Sequence, residues 1–268
     1  MYATSGCSAG IHLLGPVVVE AAGRRHGGLP AQLRKVTAVL ALTGGVALTA
    51  EQIVKRVWDG DPPESAVQMV RNQIGTLRRL FGSAGRDVVQ RSHGGYRLSI
   101  DGVEIDAERF RALVYEGRLL RAAGRTAEAV PTLERGVGCW RGTEALVDVR
   151  DVPDLEVAAM GLQELRFQAD EMIAEGYLAL GQPERALPIL QAMTMLHPSR
   201  EFPWLQLMAA QALIGRRIEA SGETYRQAQH HLVEKTGLDA PLLASVHQAL
   251  LRGTPGRELI TMITRAGR

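Results

Sequence analysis

The stretch Glu64-Ser-Ala-Val-Gln-Met-Val-Arg-Asn-Gln-Ile-Gly-Thr-Leu-Arg-Arg-Leu-Phe81 decides the reading of this chain. Ala66, Val67, Val70, Ile74, Leu77 and Phe81 are spaced by one, three or four and form one apolar stripe on a helix. The opposite face carries Gln68, Arg71, Asn72, Gly75, Thr76 and Arg79. Polar helix faces are usually just solvated, so the flanking elements decide what this one does. Upstream, Asp59-Gly-Asp-Pro-Pro63 cannot continue a helix, although a proline suits the start of the next. Before it, Thr49-Ala-Glu-Gln52 has capping-box spacing and opens a short helix of about 49–58. Apolar residues at Leu33, Val36, Val39 and Leu40 predict a helix over Ala31–Thr43, stopped by Gly44-Gly45. Earlier still, Ile11-His-Leu-Leu-Gly-Pro-Val-Val-Val-Glu20 is β-rich and folds back at Gly23–Gly28. Downstream, Val88 to Ile100 reads as a hairpin with Gly94-Gly95 at its tip.

Sheet, helix, short helix, long helix, hairpin is the order of a winged helix-turn-helix, in which the third helix enters the DNA major groove. Arginine and asparagine read guanine and adenine edges with paired hydrogen bonds, which makes Arg71 and Asn72 the leading base-reading candidates, followed by Gln68 and Thr76. Arg78, Arg79, Arg34 and Lys35 are expected on phosphates. Arg91, His93 and Arg97 of the hairpin are expected at an adjacent minor groove or its phosphates. Trp58, Val70 and Tyr96 are core residues on this reading, with Tyr96 anchoring the hairpin to the third helix.

Composition agrees. Residues 1–100 hold 12 Lys+Arg and 6 Asp+Glu, a balance of +6, whereas residues 101–268 hold 19 and 23, a balance of −4. A basic portion joined to a mildly acidic one suits a polyanion at one end and proteins or small molecules at the other. Two cysteines, Cys7 and Cys139, make no disulfide framework, and no CxxC pair is present for zinc. The uncharged run Val36–Ala50 has 15 residues, short of the roughly 20 that a bilayer crossing needs. Met1–Gly10 has neither a basic start nor an apolar run, so a cytoplasmic, nucleoid-associated protein is expected. Enzyme signatures are thin: HExxH, SxxK, GxGxxG and GxxxxGK[ST] do not occur, and neither a metal nor another cofactor is implied. His230 and His231 are adjacent and point about 100° apart on a helix, too far to share a metal. Cys139 reads as a buried helix residue, and Glu171 with Glu175 as a solvated pair.

The second portion is helical throughout, with helices expected from Asp106 to Ala123-Gly124, from Thr126 to about Trp140 and over Val152–Leu180. Ala123-Gly-Arg-Thr-Ala-Glu-Ala129, Leu180-Gly-Gln-Pro-Glu-Arg-Ala186 and Ile214-Gly-Arg-Arg-Ile-Glu-Ala220 each place a glycine five residues before an alanine. Gly181 and Gly215 are 34 apart, the tetratricopeptide period, while Gly124 and Gly181 are 57 apart, so an insertion interrupts the array. The fold expected is therefore mainly α, a winged helix-turn-helix over 1–102 followed by an all-α, tetratricopeptide-like array over 103–268.

Leu13-Leu-Gly-Pro16, Val57-Trp-Asp-Gly-Asp-Pro-Pro63, Leu77-Arg-Arg-Leu-Phe-Gly82 and Gly94-Gly-Tyr-Arg97 resemble the OmpR-type DNA-binding domain of the Streptomyces antibiotic regulatory protein family. Asp106-Ala-Glu-Arg-Phe110, Leu155–Leu165, Gln163-Glu-Leu-Arg166 and Val233-Glu-Lys-Thr-Gly-Leu238 resemble the bacterial transcriptional activator domain that follows in that family. The resemblance implies an activator that binds direct repeats of double-stranded promoter DNA near the −35 element, as a homodimer or a side-by-side pair, and recruits RNA polymerase holoenzyme. Secondary-metabolite gene clusters are the implied targets. Asp59 and Asp61, in the loop that faces polymerase in OmpR-type domains, would meet a sigma factor. One departure stands out: where the family usually has Ser-Arg, this chain has Gly75-Thr76. Two other readings remain open, an interaction scaffold built on the helical array and a ligand-responsive regulator.

Overall fold

The computed structural model describes residues 9–99 and 101–266. Cys7 and the expected hairpin end Ile100 lie outside the described residues. Strands β1 (Gly10–His12), β2 (Val18–Ala21) and β3 (Arg24–His26) are followed by helices α1 (Ala31–Leu42), α2 (Ala50–Val57) and α3 (Ala66–Leu80). A short helical turn, α4 (Gly85–Val88), leads to the wing, β4 (Val89–Ser92) and β5 (Gly95–Leu98). The first sheet is completed by β6 (Glu104–Ile105), in the order β3-β2-β1-β6, with β1 and β6 parallel. The winged helix-turn-helix expected from the order of elements is therefore present.

Each helix has a local cause. In α1, Leu33, Val36, Val39 and Leu40 are buried, as the periodicity requires. The Thr49 hydroxyl accepts from the Gln52 N–H at 3.2 Å and Gln52 Oε1 accepts from the Thr49 N–H at 2.8 Å, so the capping box forms. In α3 the stripe Ala66, Val70, Ile74 and Leu77 is buried, each large aliphatic side chain contributing about 1.5–3 kcal/mol of burial free energy.

Helices α5 (Asp106–Ala122), α6 (Thr126–Val137) and α7 (Pro153–Ala179) begin the helical portion. Next come α8 (Pro183–Leu196), α9 (Glu201–Leu213) and a helical run from Arg217 to Glu234: α10 (Arg217–Glu219), a π turn, α11 (Tyr225–Gln229) and a second π turn. Helices α12 (Pro241–Leu251) and α13 (Gly256–Ala266) end it. The three repeats share one geometry. Gly124, Gly181 and Gly215 all have positive φ, and in each case the following N–H reaches back five residues, Arg125 to Leu120, Gln182 to Tyr177 and Arg216 to Gln211. This is the Schellman closure of a helix, and the alanine five residues after each glycine is buried. A fourth closure, Thr254 to Ala249 with Gly253 at positive φ, lacks the alanine and was not visible as a repeat.

The compact units do not follow a division at residue 102. One comprises the chain up to 113 together with 135–165; the other comprises 114–134 and the chain from 166 onward. Segment 139–152 belongs with the winged helix because it bonds to it. The Arg141 N–H donates to the Leu14 carbonyl and the Leu146 N–H to the Leu13 carbonyl, both at 2.9 Å. Asp148 accepts from the Val17 N–H at 3.0 Å, and Asp106, at the start of α5, accepts from the Leu13 N–H at 2.7 Å and the Leu14 N–H at 3.2 Å. The same Asp106 carboxylate raises the pKa of His12. Cys139 lies past the end of α6 and is half-buried rather than buried within a helix. Its Sγ lies 3.5 Å from the Arg135 carbonyl.

Candidate nucleic-acid interface

Gln68, Arg71, Asn72 and Arg79 are exposed on α3 and Thr76 is half-buried beside them. They share one helical face, and from Gln68 to Arg79 it runs about 16 Å at 1.5 Å per residue. The face is internally ordered. Gln68 Nε2 donates to Asn72 Oδ1 at 3.0 Å, the Thr76 hydroxyl donates to the Asn72 carbonyl at 3.1 Å, and Arg79 Nη2 donates to Thr76 Oγ1 at 2.9 Å. Gly75 lies in the same row, and a Cβ placed there would meet nothing within 4 Å. Arg71 lies near Glu51 of α2. The Glu51 carboxyl is held below its usual range first by its own backbone N–H, then by the Thr49 hydroxyl, with the Arg71 guanidinium adding to both.

Arg78 turns the other way. Its Nε and Nη2 both donate to the Val89 carbonyl, at 2.9 and 2.8 Å, and its guanidinium lies 5.8 Å from the centre of the Tyr96 ring. Tyr96 exchanges backbone hydrogen bonds with Leu48 at 2.7 and 2.9 Å. Arg78 therefore fastens the wing to α3, and Tyr96 takes the anchoring role expected of it. The hairpin tip sits one residue earlier than Gly94-Gly95: His93 and Gly94 both have positive φ, as a type I′ turn requires, and Ser92 pairs with Gly95. Gly95 is needed for another reason, because a Cβ there would stand 2.4 Å from the Leu48 carbonyl oxygen. Arg91 and His93 are exposed on the wing, and Arg97 donates to Gln90 Oε1 from Nε at 3.1 Å and Nη2 at 2.8 Å.

Arg34 and Lys35 have partners the sequence did not foretell: Arg34 pairs with Asp148 at 3.3 Å and Lys35 pairs with Asp151. Asp106, Asp148 and Asp151 are thus the structurally important residues that sequence reasoning missed, since a carboxylate bonded across 90 or more positions leaves no periodic trace. Asp59 and Asp61 are exposed in the loop between α2 and α3, where Gly60 has positive φ. Between Ala66 and Arg97 there are six arginines and one acidic residue, Asp87, so the face and wing together are strongly cationic. Among the described residues no group of three His, Cys, Asp or Glu side chains is placed to hold a metal. No described helix is long and apolar enough to cross a membrane. His231 stacks on Trp204 with ring centres 5.9 Å apart, and His230 pairs with Glu234.

A winged helix with a polar, exposed face on its third helix, continued by an array of paired helices, defines a class of transcriptional regulators. Residues 105–251 match the family model described as the bacterial transcriptional activator domain, and the chain belongs to the Streptomyces antibiotic regulatory protein family. It is 30% identical to the regulatory protein DnrI of Streptomyces peucetius, over 92% of this chain and 93% of that protein. It is 29% identical to the transcriptional regulatory protein MoaR1 of Mycobacterium tuberculosis, over 98% of this chain and 86% of that one. With the transcriptional regulatory protein EmbR of M. tuberculosis it shares 33% identity over 91% of this chain and 63% of the longer relative. The structure of M. tuberculosis EmbR in complex with a low-affinity phosphopeptide superimposes with a TM-score of 0.82, at 30% identity, covering 97% of this chain and 70% of that one.

Proposed function

We propose that this regulator binds direct repeats in promoter DNA near the −35 element, with α3 in the major groove, and activates transcription by recruiting RNA polymerase to a secondary-metabolite gene cluster. The observation that carries this reading is the row Gln68, Arg71, Asn72, Thr76 and Arg79, uncovered on one face beside an arginine-bearing wing. Arg71 and Asn72, with Gln68 and Thr76, contact base edges; Arg79, Arg91, His93 and Arg97 contact phosphates. Arg34, Lys35 and Arg78 already have protein partners and serve the scaffold first. On direct repeats, two chains bind side by side. Asp59 and Asp61 face a basic patch of the sigma factor.

In vitro transcription with purified holoenzyme tests this reading. The intact chain is expected to raise the yield from a promoter of its own genomic neighbourhood. Asp59→Ala/Asp61→Ala is expected to keep DNA binding and lose most of that increase. Loss of DNA binding itself in the double variant would contradict the assignment of the loop to polymerase.

A further inference from the structure

Gly75 stands in the middle of the α3 row, half-buried, with open space where a side chain would be. The fold gives no reason for a glycine there. Gly85 and Gly95 of the same winged helix are both required, because a Cβ would run into the Arg78 carbonyl at the first and the Leu48 carbonyl at the second. At Gly75 a Cβ would meet nothing within 4 Å among the described residues, and the backbone is ordinary α-helix. Helix α3 therefore carries the helix-interior cost of glycine without a contact inside the chain in return. The four residues one turn away leave the gap open. Asn72 is tied to Gln68, Arg78 to the Val89 carbonyl and Arg79 to Thr76, while Arg71 lies near Glu51 of α2. The floor of the gap is apolar. Within the helix the Gly75 N–H and carbonyl are committed to the Arg71 carbonyl and the Arg79 N–H, which leaves a Cα hydrogen facing outward.

We infer that Gly75 is a specificity-determining residue whose gap receives the C5-methyl group of a thymine, in the base pair next to the one that Asn72 reads. This rests on the reading that α3 lies in the major groove. A gap without a free donor or acceptor takes an apolar group, and on the major-groove edges of the four bases the thymine methyl is the one such group. Without a side chain at 75 the helix backbone comes closer to that edge than any other residue would allow. The spacing agrees: Asn72 and Gly75 are separated by about 4.5 Å along the helix, close to the step of about 3.4 Å between base pairs.

A thymine scan of the promoter duplex tests this. Each thymine of the bound repeats is replaced in turn by deoxyuridine, which lacks the methyl group alone, and the full chain is titrated against each duplex by fluorescence anisotropy. The inference predicts a thymine in each repeat at which the replacement weakens binding about fourfold, the effect of one buried methyl group. Gly75→Ala is expected to bind the thymine duplex more weakly than the wild-type chain and to lose sensitivity at that position. With uracil there, Gly75→Ala should bind at least as well as wild type, because its own methyl group takes the vacated space. A wild-type chain that prefers the promoter to a shuffled duplex yet has no sensitive thymine would overturn the inference and leave the DNA reading intact. A sensitive position that persists unchanged in Gly75→Ala would overturn it too. No preference for the promoter at all would remove both the reading and the inference.

Discussion

Gly75 sits in the middle of the proposed reading face, with open space where a side chain would be. Glycine in a helix interior is about 1 kcal/mol less favourable than alanine, so Gly75→Ala is expected to raise stability by about 0.5–1 kcal/mol, measurable by urea unfolding. The same substitution places only a methyl group on the face and leaves Arg71 and Asn72 in register. Asp170 of α7 tells a different story at the same scale. Burial raises its pKa from the ordinary 3.8 to about 6, against the opposing pull of Arg166. The folded chain therefore holds a proton there that the unfolded chain has released, and stability falls as pH climbs from about 4 to about 6. Asp170→Asn is expected to flatten that slope and to stabilise the protein at pH 7 by on the order of 1 kcal/mol, since each pKa unit corresponds to about 1.4 kcal/mol before screening by water. A variant that keeps the wild-type slope in urea titrations between pH 4 and 7 would show that the slope has another origin.

Among the elements, those set by near neighbours in the chain were readable. The stripe of α3, the Thr49 capping box and the glycine-alanine repeats depend on residues three to five apart, and all three take the expected form. The wing shows where such reading stops. Two consecutive glycines announced a turn, but which pair formed it depended on the Leu48 backbone lying against Gly95, a contact spanning 47 residues. Arg78 has a partner that was not readable for the same reason: nothing local distinguishes an arginine free to face DNA from one bonded to the Val89 carbonyl. The π turns at Ala220–Thr224 and His230–Glu234 likewise left no local mark. At this scale Gly95→Ala is the sharpest test. Its Cβ would collide with the backbone of Leu48, so the bridge between Leu48 and Tyr96 should open. Amide exchange at Leu48 and Tyr96 is expected to accelerate, with a stability loss of about 1–3 kcal/mol. Unchanged protection at both amides would contradict the close approach.

For the molecule as a whole, segment 139–152 is bound to the winged helix through backbone pairs, Asp148 and Asp151 rather than left in the helical array. The proposed recognition face stays uncovered while the opposite commitments of Arg34, Lys35 and Arg78 draw cationic side chains into structure. Binding to DNA should therefore rest on a small set of arginines, with a modest salt dependence for each chain bound. The most direct measurement is fluorescence anisotropy of the full chain against promoter DNA from its genomic neighbourhood and a shuffled control, at 50 and 200 mM salt. The account predicts a clear preference for the promoter. Arg71→Ala and Asn72→Ala should each remove about 1–3 kcal/mol of that preference, and Arg79→Ala should weaken both DNAs alike and lower the salt slope by about one. Equal binding to both DNAs by the wild-type chain, or a preference untouched by Arg71→Ala and Asn72→Ala together, would contradict the claim that α3 reads sequence.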